Sequence, residues 1–107
     1  MISVQDLILN KANRKLNDRT PAAERLRNLT RIIQLDTGGD RITFILDHGL
    51  LSLAGGELKP DIVLIISEGD IRSILEKSLD PMEAYSQGRL KVKSSLMDKL
   101  LMAEMLS

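Results

Sequence analysis

Ile62-Val63-Leu64-Ile65-Ile66 is a run of five consecutive apolar residues, preceded by Lys59-Pro60-Asp61 and followed by Ser67. A strand with one solvated face alternates apolar and polar residues, whereas a strand covered on both faces needs no alternation. The run therefore predicts a central strand that is covered on both faces. Ser67 and Asp70, three residues apart, are typical of the start of a helix, so we expect a helix directly after this strand.

The segments before this run predict antiparallel hairpins. Residues 30–36, 41–47 and 50–54 are rich in β-branched and apolar residues, and a turn containing glycine follows each of them. Short strands separated by such turns form a meander. Later in the chain, Arg89-Leu90-Lys91-Val92-Lys93 alternates between basic and apolar residues, which indicates a half-buried strand at the edge of the sheet.

Helical periodicity occupies much of the remaining chain. Apolar residues recur at helical spacing after Ser3 and again after Thr20-Pro21, so the first 29 residues are predicted to be helical. Further helices are expected after Asp80-Pro81 and after Ser95. The 107 residues therefore predict a single α+β domain, with a helical region over 1–29 and the sheet with its covering helices over 30–107.

The last predicted helix has more apolar surface than a helix lying on a sheet needs. One apolar stripe of about 100° is enough for such packing, so the surplus is expected to face a ligand, a partner subunit or a membrane, or to lie at a frayed end. Apart from Met1, every methionine lies after residue 80, and methionine suits adaptable apolar surfaces. The apolar residues of this helix are Leu96, Met97, Leu100, Leu101, Met102, Ala103, Met105 and Leu106.

Composition argues against several classes of protein. The chain carries 15 basic and 15 acidic residues, and this balance argues against a nucleic-acid-binding protein. It has no cysteine, which excludes disulfides and thiol chemistry. No apolar run reaches the roughly 18 residues that span a bilayer, and the N-terminus lacks the apolar core of a signal peptide, so we expect a cytoplasmic protein.

No set of residues in the sequence converges on catalysis or metal binding. His48 is the only histidine, and it lies in a predicted turn without the strand-to-helix elbow of a hydrolase nucleophile. The aspartates near the glycine turns match no calcium-loop signature. We therefore expect no catalytic residue, no metal and no cofactor, and a protein that is not an enzyme.

Basic residues are concentrated in the first third of the chain. Seven cations lie between Lys11 and Arg31, against Asp18 and Glu24, and the strand over residues 89–93 adds three more. Such an arrangement is consistent with transient docking on an anionic membrane surface, at up to about 1 kcal/mol per cation. The alternative is a solvated helix face.

Four segments resemble the sterol carrier protein two family, the sterol-binding domain. The most specific is Asp80-Pro81-Met82-Glu83-Ala84-Tyr85-Ser86-Gln87-Gly88-Arg89-Leu90-Lys91-Val92-Lys93, with the family's proline, alanine-aromatic pair, glycine and basic-apolar strand. Residues 59–64 are similar to its Pro-Asp strand start, residues 67–71 to its next helix start, and residues 47–49 to its hairpin turn. The resemblance covers residues 25 to 107.

The resemblance implies a five-stranded, mostly antiparallel sheet with helices packed on one face and an apolar tunnel between them, the C-terminal helix being the mobile wall. It implies non-catalytic binding, transfer or presentation of lipids such as fatty acids, fatty acyl-CoA, sterol-like or isoprenoid molecules. By resemblance Gln87 would be the polar group near the tunnel. The predicted lining is Phe44, Ile74, Leu75, Met82, Tyr85, Gln87, Leu90, Met97, Leu101 and Met105.

Two residues depart from the family pattern, and one alternative function stays open. Lys77 stands where the family often has the glycine that ends a helix, so we expect the helix to run on. Ser94 replaces a common glycine, which would alter the start of the last helix. The alternative is an interaction or dimerisation module, in which the apolar last helix docks a partner subunit or an enzyme that handles hydrophobic substrates; we expect a monomer or a weak homodimer.

Overall fold

The computed structural model describes residues 2 to 106, apart from the side chain of Ala22. It is an α+β fold, as predicted, and no helix within residues 2–106 is long and apolar enough to cross a membrane. In chain order the elements are α1 (Val4–Leu16), α2 (Pro21–Arg27), β1 (Thr30–Asp36), β2 (Arg41–Asp47), β3 (Leu50–Leu53), β4 (Ile62–Ile65), α3 (Glu68–Leu75), α4 (Pro81–Ser86), β5 (Lys91–Lys93) and α5 (Leu96–Leu106).

The strands form one mixed sheet in the order β3-β2-β1-β4-β5. Three neighbouring pairs are antiparallel, and β1 pairs with β4 in parallel. The parallel pair arises because the chain leaves β3 at one edge and crosses to the free side of β1. The prediction of a five-stranded, mostly antiparallel sheet is confirmed, although the sheet is not purely antiparallel.

The helices cover one face of this sheet, and the other face is partly open to solvent. Strand β4 is an interior strand, but the prediction that it is covered on both faces is wrong, since Val63 and Ile65 are only half-buried. The register places Lys93 beside Val63 and Lys91 beside Ile65, and aliphatic lysine stems are suited to lie along such apolar neighbours. The buried side chains on the covered face include Ile33, Leu35, Phe44, Leu46, Ile62 and Leu64.

Hydroxyl side chains begin four of the helices, and the sequence predicts all four positions. Each hydroxyl oxygen accepts a hydrogen bond from a backbone N–H that has no partner inside the helix. These bonds fix the directions in which α1, α2, α3 and α5 leave the preceding loops. They join Asp6 N to Ser3 Oγ (3.2 Å), Ala23 N to Thr20 Oγ1 (3.1 Å), Asp70 N to Ser67 Oγ (3.2 Å) and Asp98 N to Ser95 Oγ (3.2 Å).

Helix α3 does not run on through Lys77, which corrects the expectation from the sequence. The helix ends at Leu75, with Glu76 as its cap at φ −86°, and Lys77 has φ +64°. Lysine therefore takes the left-handed conformation that glycine usually takes at a helix end. For a residue with a Cβ this conformation costs on the order of 1 kcal/mol.

The left-handed conformation of Lys77 leads to a stability prediction. Lys77→Gly is expected to raise the free energy of unfolding by about 0.5 to 1 kcal/mol, because glycine adopts a positive φ without steric cost. Urea unfolding measures the change. The matched control is Glu76→Gly at the neighbouring position, where φ is ordinary and glycine should lower the stability. If glycine lowered the stability at both positions, the left-handed conformation of Lys77 would not be strained.

Candidate functional site

A small apolar cavity lies between the sheet and the helices, and we call it the inner cavity. Its volume is about 30 Å³, which has room for a water molecule but not for an alkyl chain. Lys11 is the only charged residue among its described lining residues. The lining consists of Ile8, Lys11, Ala12, Ile33, Leu35, Phe44, Leu51, Leu64, Ile71, Leu75, Met102, Met105 and Leu106.

A second apolar space, the outer groove, opens at the surface between α4, β5 and α5. Its volume is about 230 Å³, just below the range for ligand pockets, which begins at about 300 Å³. Several of its apolar side chains are solvated, and Leu96 is 74% exposed. The groove is lined by Pro81, Met82, Tyr85, Leu90, Val92, Leu96, Lys99, Leu100, Met102, Ala103 and Leu106.

Met102 and Leu106 of α5 line both spaces, so these two side chains form the wall between them. Met102 is buried and Leu106 is half-buried. The continuous tunnel that the resemblance implied is not shown; the cavity and the groove are separate spaces, with Met102 and Leu106 in the lining of both. Methionine is unbranched and flexible, so Met102 is an adaptable part of this wall.

The predicted site residues are divided between these two spaces and their surroundings. Ile74 and Leu101 are buried in the hydrophobic core without lining either space, whereas Met97 is 68% exposed. The prediction from the sequence omitted Met102 and Leu106, although they are the residues common to both linings. Phe44, Leu75 and Met105 line the inner cavity, and Met82, Tyr85 and Leu90 line the outer groove.

Gln87 is exposed and forms hydrogen bonds at the surface, outside both linings. Its Nε2 donates to Glu83 Oε1 (3.2 Å), and its Oε1 accepts from Arg89 Nη1 (3.2 Å). Arg89 also donates to both carboxylate oxygens of Asp70, at 2.6 and 3.2 Å, and these bonds lower the pKa of Asp70. The arginine thereby ties the segment between α4 and β5, one wall of the groove, to the first turn of α3.

Polar contacts attach helix α5 near both of its ends. Near its start, Arg31 Nε donates to the two oxygens of Asp98, at 3.1 and 3.2 Å. Asp98 is buried, at 7% exposure, and Arg31 projects from β1. Nearer its end, the contacts join Arg25 Nη2 to Glu104 Oε1 (2.5 Å) and Lys11 Nζ to the Leu106 carbonyl oxygen (3.3 Å).

Within residues 2–106, no group of three or more histidine, aspartate and glutamate side chains is arranged to hold a metal ion. His48 lies at the β2–β3 turn, as predicted, and its Nδ1 is 2.6 Å from Asp47 Oδ1. The hydrogen bond from His48 lowers the pKa of Asp47. Both side chains are largely exposed, so this pair belongs to the surface turn and not to the apolar spaces.

A five-stranded mixed sheet, covered on one face by helices that leave apolar space beneath the last of them, defines a domain of the sterol carrier type. The sequence model of the SCP-2 sterol transfer family matches residues 9–106. The chain belongs to this family, and the match extends the resemblance into α1. Membership supports lipid binding or transfer as the general class of function.

Two solved structures illustrate the fold. A UbiJ-SCP2 ubiquinone synthesis protein is 18% identical, with a TM-score of 0.69 over 96% of this chain and 92% of that chain. The palmitated SCP2L2 of Aedes aegypti, solved by solution NMR, is 19% identical, with a TM-score of 0.69 over 94% of this chain and 92% of that chain. At these identities the similarity shows the fold.

Curated relatives match over shorter segments. Human Stomatin-like protein 1 is 36% identical over 64 residues, which is 60% of this chain and 14% of that protein. The mouse protein of the same name is 49% identical over 37 residues, which is 35% of this chain and 9% of that protein. The matched segments are therefore a small part of both relatives.

Proposed function

We propose that this domain binds one long aliphatic chain of a lipid, in the space that forms when Met102 and Leu106 move aside. The proposal depends on one observation: these two residues form the wall between the inner cavity and the outer groove. Removing it would create a continuous apolar passage from the core to the surface. A chain in that passage would lie mainly between the covered face of the sheet and α5.

The size and lining of the passage favour a linear chain over a flat ring system. The inner cavity can widen by small shifts of flexible side chains, whereas a rigid ring system needs a wide space at once. Burial of about 15 methylenes yields a gross gain near 12 kcal/mol, at about 0.8 kcal/mol each. Ordering costs reduce this to a net affinity near micromolar. The palmitate of the Aedes aegypti neighbour also supports a fatty acid or fatty acyl-CoA as ligand.

The proposed role is that of a non-catalytic carrier, which either transfers the lipid or presents it to an enzyme. Leu96 and Leu100 are exposed by 74% and 58%, and Lys99 lines the groove between them. Apolar side chains beside a cation are suited to transient contact with an anionic membrane. The groove would then lie against the surface of that membrane.

Filling the outer groove tests the proposal. Ala103 is half-buried and lines the groove but not the inner cavity. Ala103→Trp is expected to weaken palmitate binding at least about tenfold, because the indole would occupy the apolar space that the chain needs. Isothermal titration measures the affinity, and native mass spectrometry of the gently purified protein identifies any lipid already bound.

The matched control for the groove variant is Met97→Trp on the same helix. Met97 is 68% exposed and lies outside both linings, so the same bulky residue there should leave palmitate affinity within about twofold. Unchanged binding in Ala103→Trp would show that the chain does not use the groove. Absence of palmitate binding in the unaltered protein would refute the proposed function.

The exposed apolar residues of α5 favour one second function, an interaction or dimerisation module. Leu96, Met97 and Leu100 are all more than half exposed, and apolar side chains that cluster at a surface often mark an interface. Light scattering with and without palmitate separates the two functions. A dimer that ignores palmitate and dissociates in Leu96→Lys would favour the module, whereas a monomer that binds palmitate favours the carrier.

A further inference from the structure

A third space, which we call the basic pocket, shares two of its described lining residues with the inner cavity and none with the outer groove. Its volume is about 460 Å³. Four of its lining residues are cations, whereas Asp18 is the only acid among its described lining residues. The lining consists of Ile2, Leu7, Asn10, Lys11, Arg14, Lys15, Asp18, Leu75 and Lys77.

The basic pocket is continuous in its walls with the inner cavity, because Lys11 and Leu75 line both. Met102 and Leu106 in turn line both the inner cavity and the outer groove. The three spaces therefore adjoin one another in the order basic pocket, inner cavity, outer groove. The basic pocket is cationic, whereas the inner cavity and the outer groove are almost entirely apolar. An amphiphile with a charged head and an apolar chain has the same distribution of charge.

The positive charges of the basic pocket repel one another. Lys11 shares helix α1 with Arg14 three residues on and Lys15 four residues on, and like charges at these spacings destabilise a helix. Burial lowers the pKa of Lys11, and the charges of Lys77 and Lys15 lower it further. A bound anion would relieve this repulsion.

Lys77 adds a charge to this pocket from a strained backbone position. It is a lysine with φ +64°, where glycine would be free of strain. Non-glycine residues in this conformation are often found at binding sites, where another interaction offsets the strain. The side chain of Lys77 lines the basic pocket, and binding an anion would be such an interaction.

We propose that the basic pocket holds the anionic head of the bound lipid, a carboxylate or a phosphate, while its chain passes Leu75 into the inner cavity. This assignment rests on the proposed function. Lys11 is the central residue, because it lines both spaces and its Nζ donates to the Leu106 carbonyl oxygen, 3.3 Å away. A lipid head that draws this ammonium into the basic pocket would lengthen its contact with that carbonyl oxygen, although an ammonium has three N–H donors. Binding of the head would then loosen α5, which is the helix that must move.

The test compares dodecanoate with dodecanol, which have the same chain and differ in the charge of the head. In the unaltered protein dodecanoate is expected to bind about tenfold more tightly than dodecanol. Lys77→Gln and Lys11→Met should each reduce this ratio about three- to fivefold, as expected for loss of one nearby cation. Lys91→Gln, at an exposed cation of β5 outside the pocket, should leave the ratio unchanged.

The outcomes separate the head-group site from the proposed function. Equal binding of dodecanoate and dodecanol in the unaltered protein would overturn the head-group site and leave the apolar passage supported. Binding of neither compound would overturn the proposed function itself. Titration with inorganic phosphate alone distinguishes a free anion site: phosphate that binds as tightly as dodecanoate would overturn the assignment, and displacement only at far higher concentrations supports it.

Discussion

Replacing Met102 with alanine is expected to lower the free energy of unfolding by about 3 kcal/mol and, at the same time, to tighten palmitate binding. Met102 is 3% exposed, and truncation of a buried methionine costs about 2 to 5 kcal/mol through lost burial and the remaining void. The same truncation removes half of the wall between the inner cavity and the outer groove. The protein would become less stable and more open to lipid.

Urea unfolding with and without palmitate measures both effects. At a palmitate concentration about 100 times the dissociation constant, ligand binding should restore about 2.7 kcal/mol. The control is Leu26→Ala, which truncates a residue of 1% exposure on α2 that lines none of the three spaces. This variant should lose a similar amount of stability, but its affinity for palmitate should not increase. An equal gain in both variants would mean that general loosening, and not the wall, controls lipid access.

The fold could largely be predicted from the sequence, because its signals are local. The run over residues 62–66, the glycine turns and the hydroxyl caps each fix one element without reference to the others. The five-stranded, mostly antiparallel sheet follows once residues 59–93 are identified with the family pattern, but the sequence did not predict the parallel pairing of β1 with β4. Coverage of β4 could not be predicted, since apolar composition does not tell which of two faces receives a helix. Val63 and Ile65 are half-buried, and the register places lysines of β5 beside them instead of a helix.

The site was harder to predict, because its residues come together only in the folded chain. Helix α5 is apolar around most of its circumference, so its sequence gives no sign of which side chains face the cavity, the groove or solvent. Met97 and Met102 have the same chemistry, yet one is 68% exposed and the other 3%. Lys11 and Lys77 are far apart in the chain, and the left-handed turn at Lys77 was not expected of a lysine.

The ion pair between Arg31 and Asp98 is expected to control how firmly α5 is held. Asp98→Asn should lower the free energy of unfolding by about 2 to 3 kcal/mol. The pair is well shielded, with side chains 29% and 9% exposed, and loss of one partner leaves a partly buried guanidinium without its counter-charge. Hydrogen exchange should rise in α5 before it rises in β1 and β2, because the contact joins this helix to the sheet.

Two further variants separate the ion pair from a general effect of charge. Arg25→Gln removes the cation of the ion pair between Arg25 and Glu104, in which the arginine side chain is 58% exposed. It should lower the free energy of unfolding by less than about 1 kcal/mol. The double variant Arg31→Met with Asp98→Met should be less destabilised than the sum of its single variants, since neither charge remains buried alone. If α5 is the wall that opens, Asp98→Asn should also take up palmitate faster than Arg25→Gln. Equal rates in these variants would mean that release of α5 does not limit the entry of lipid.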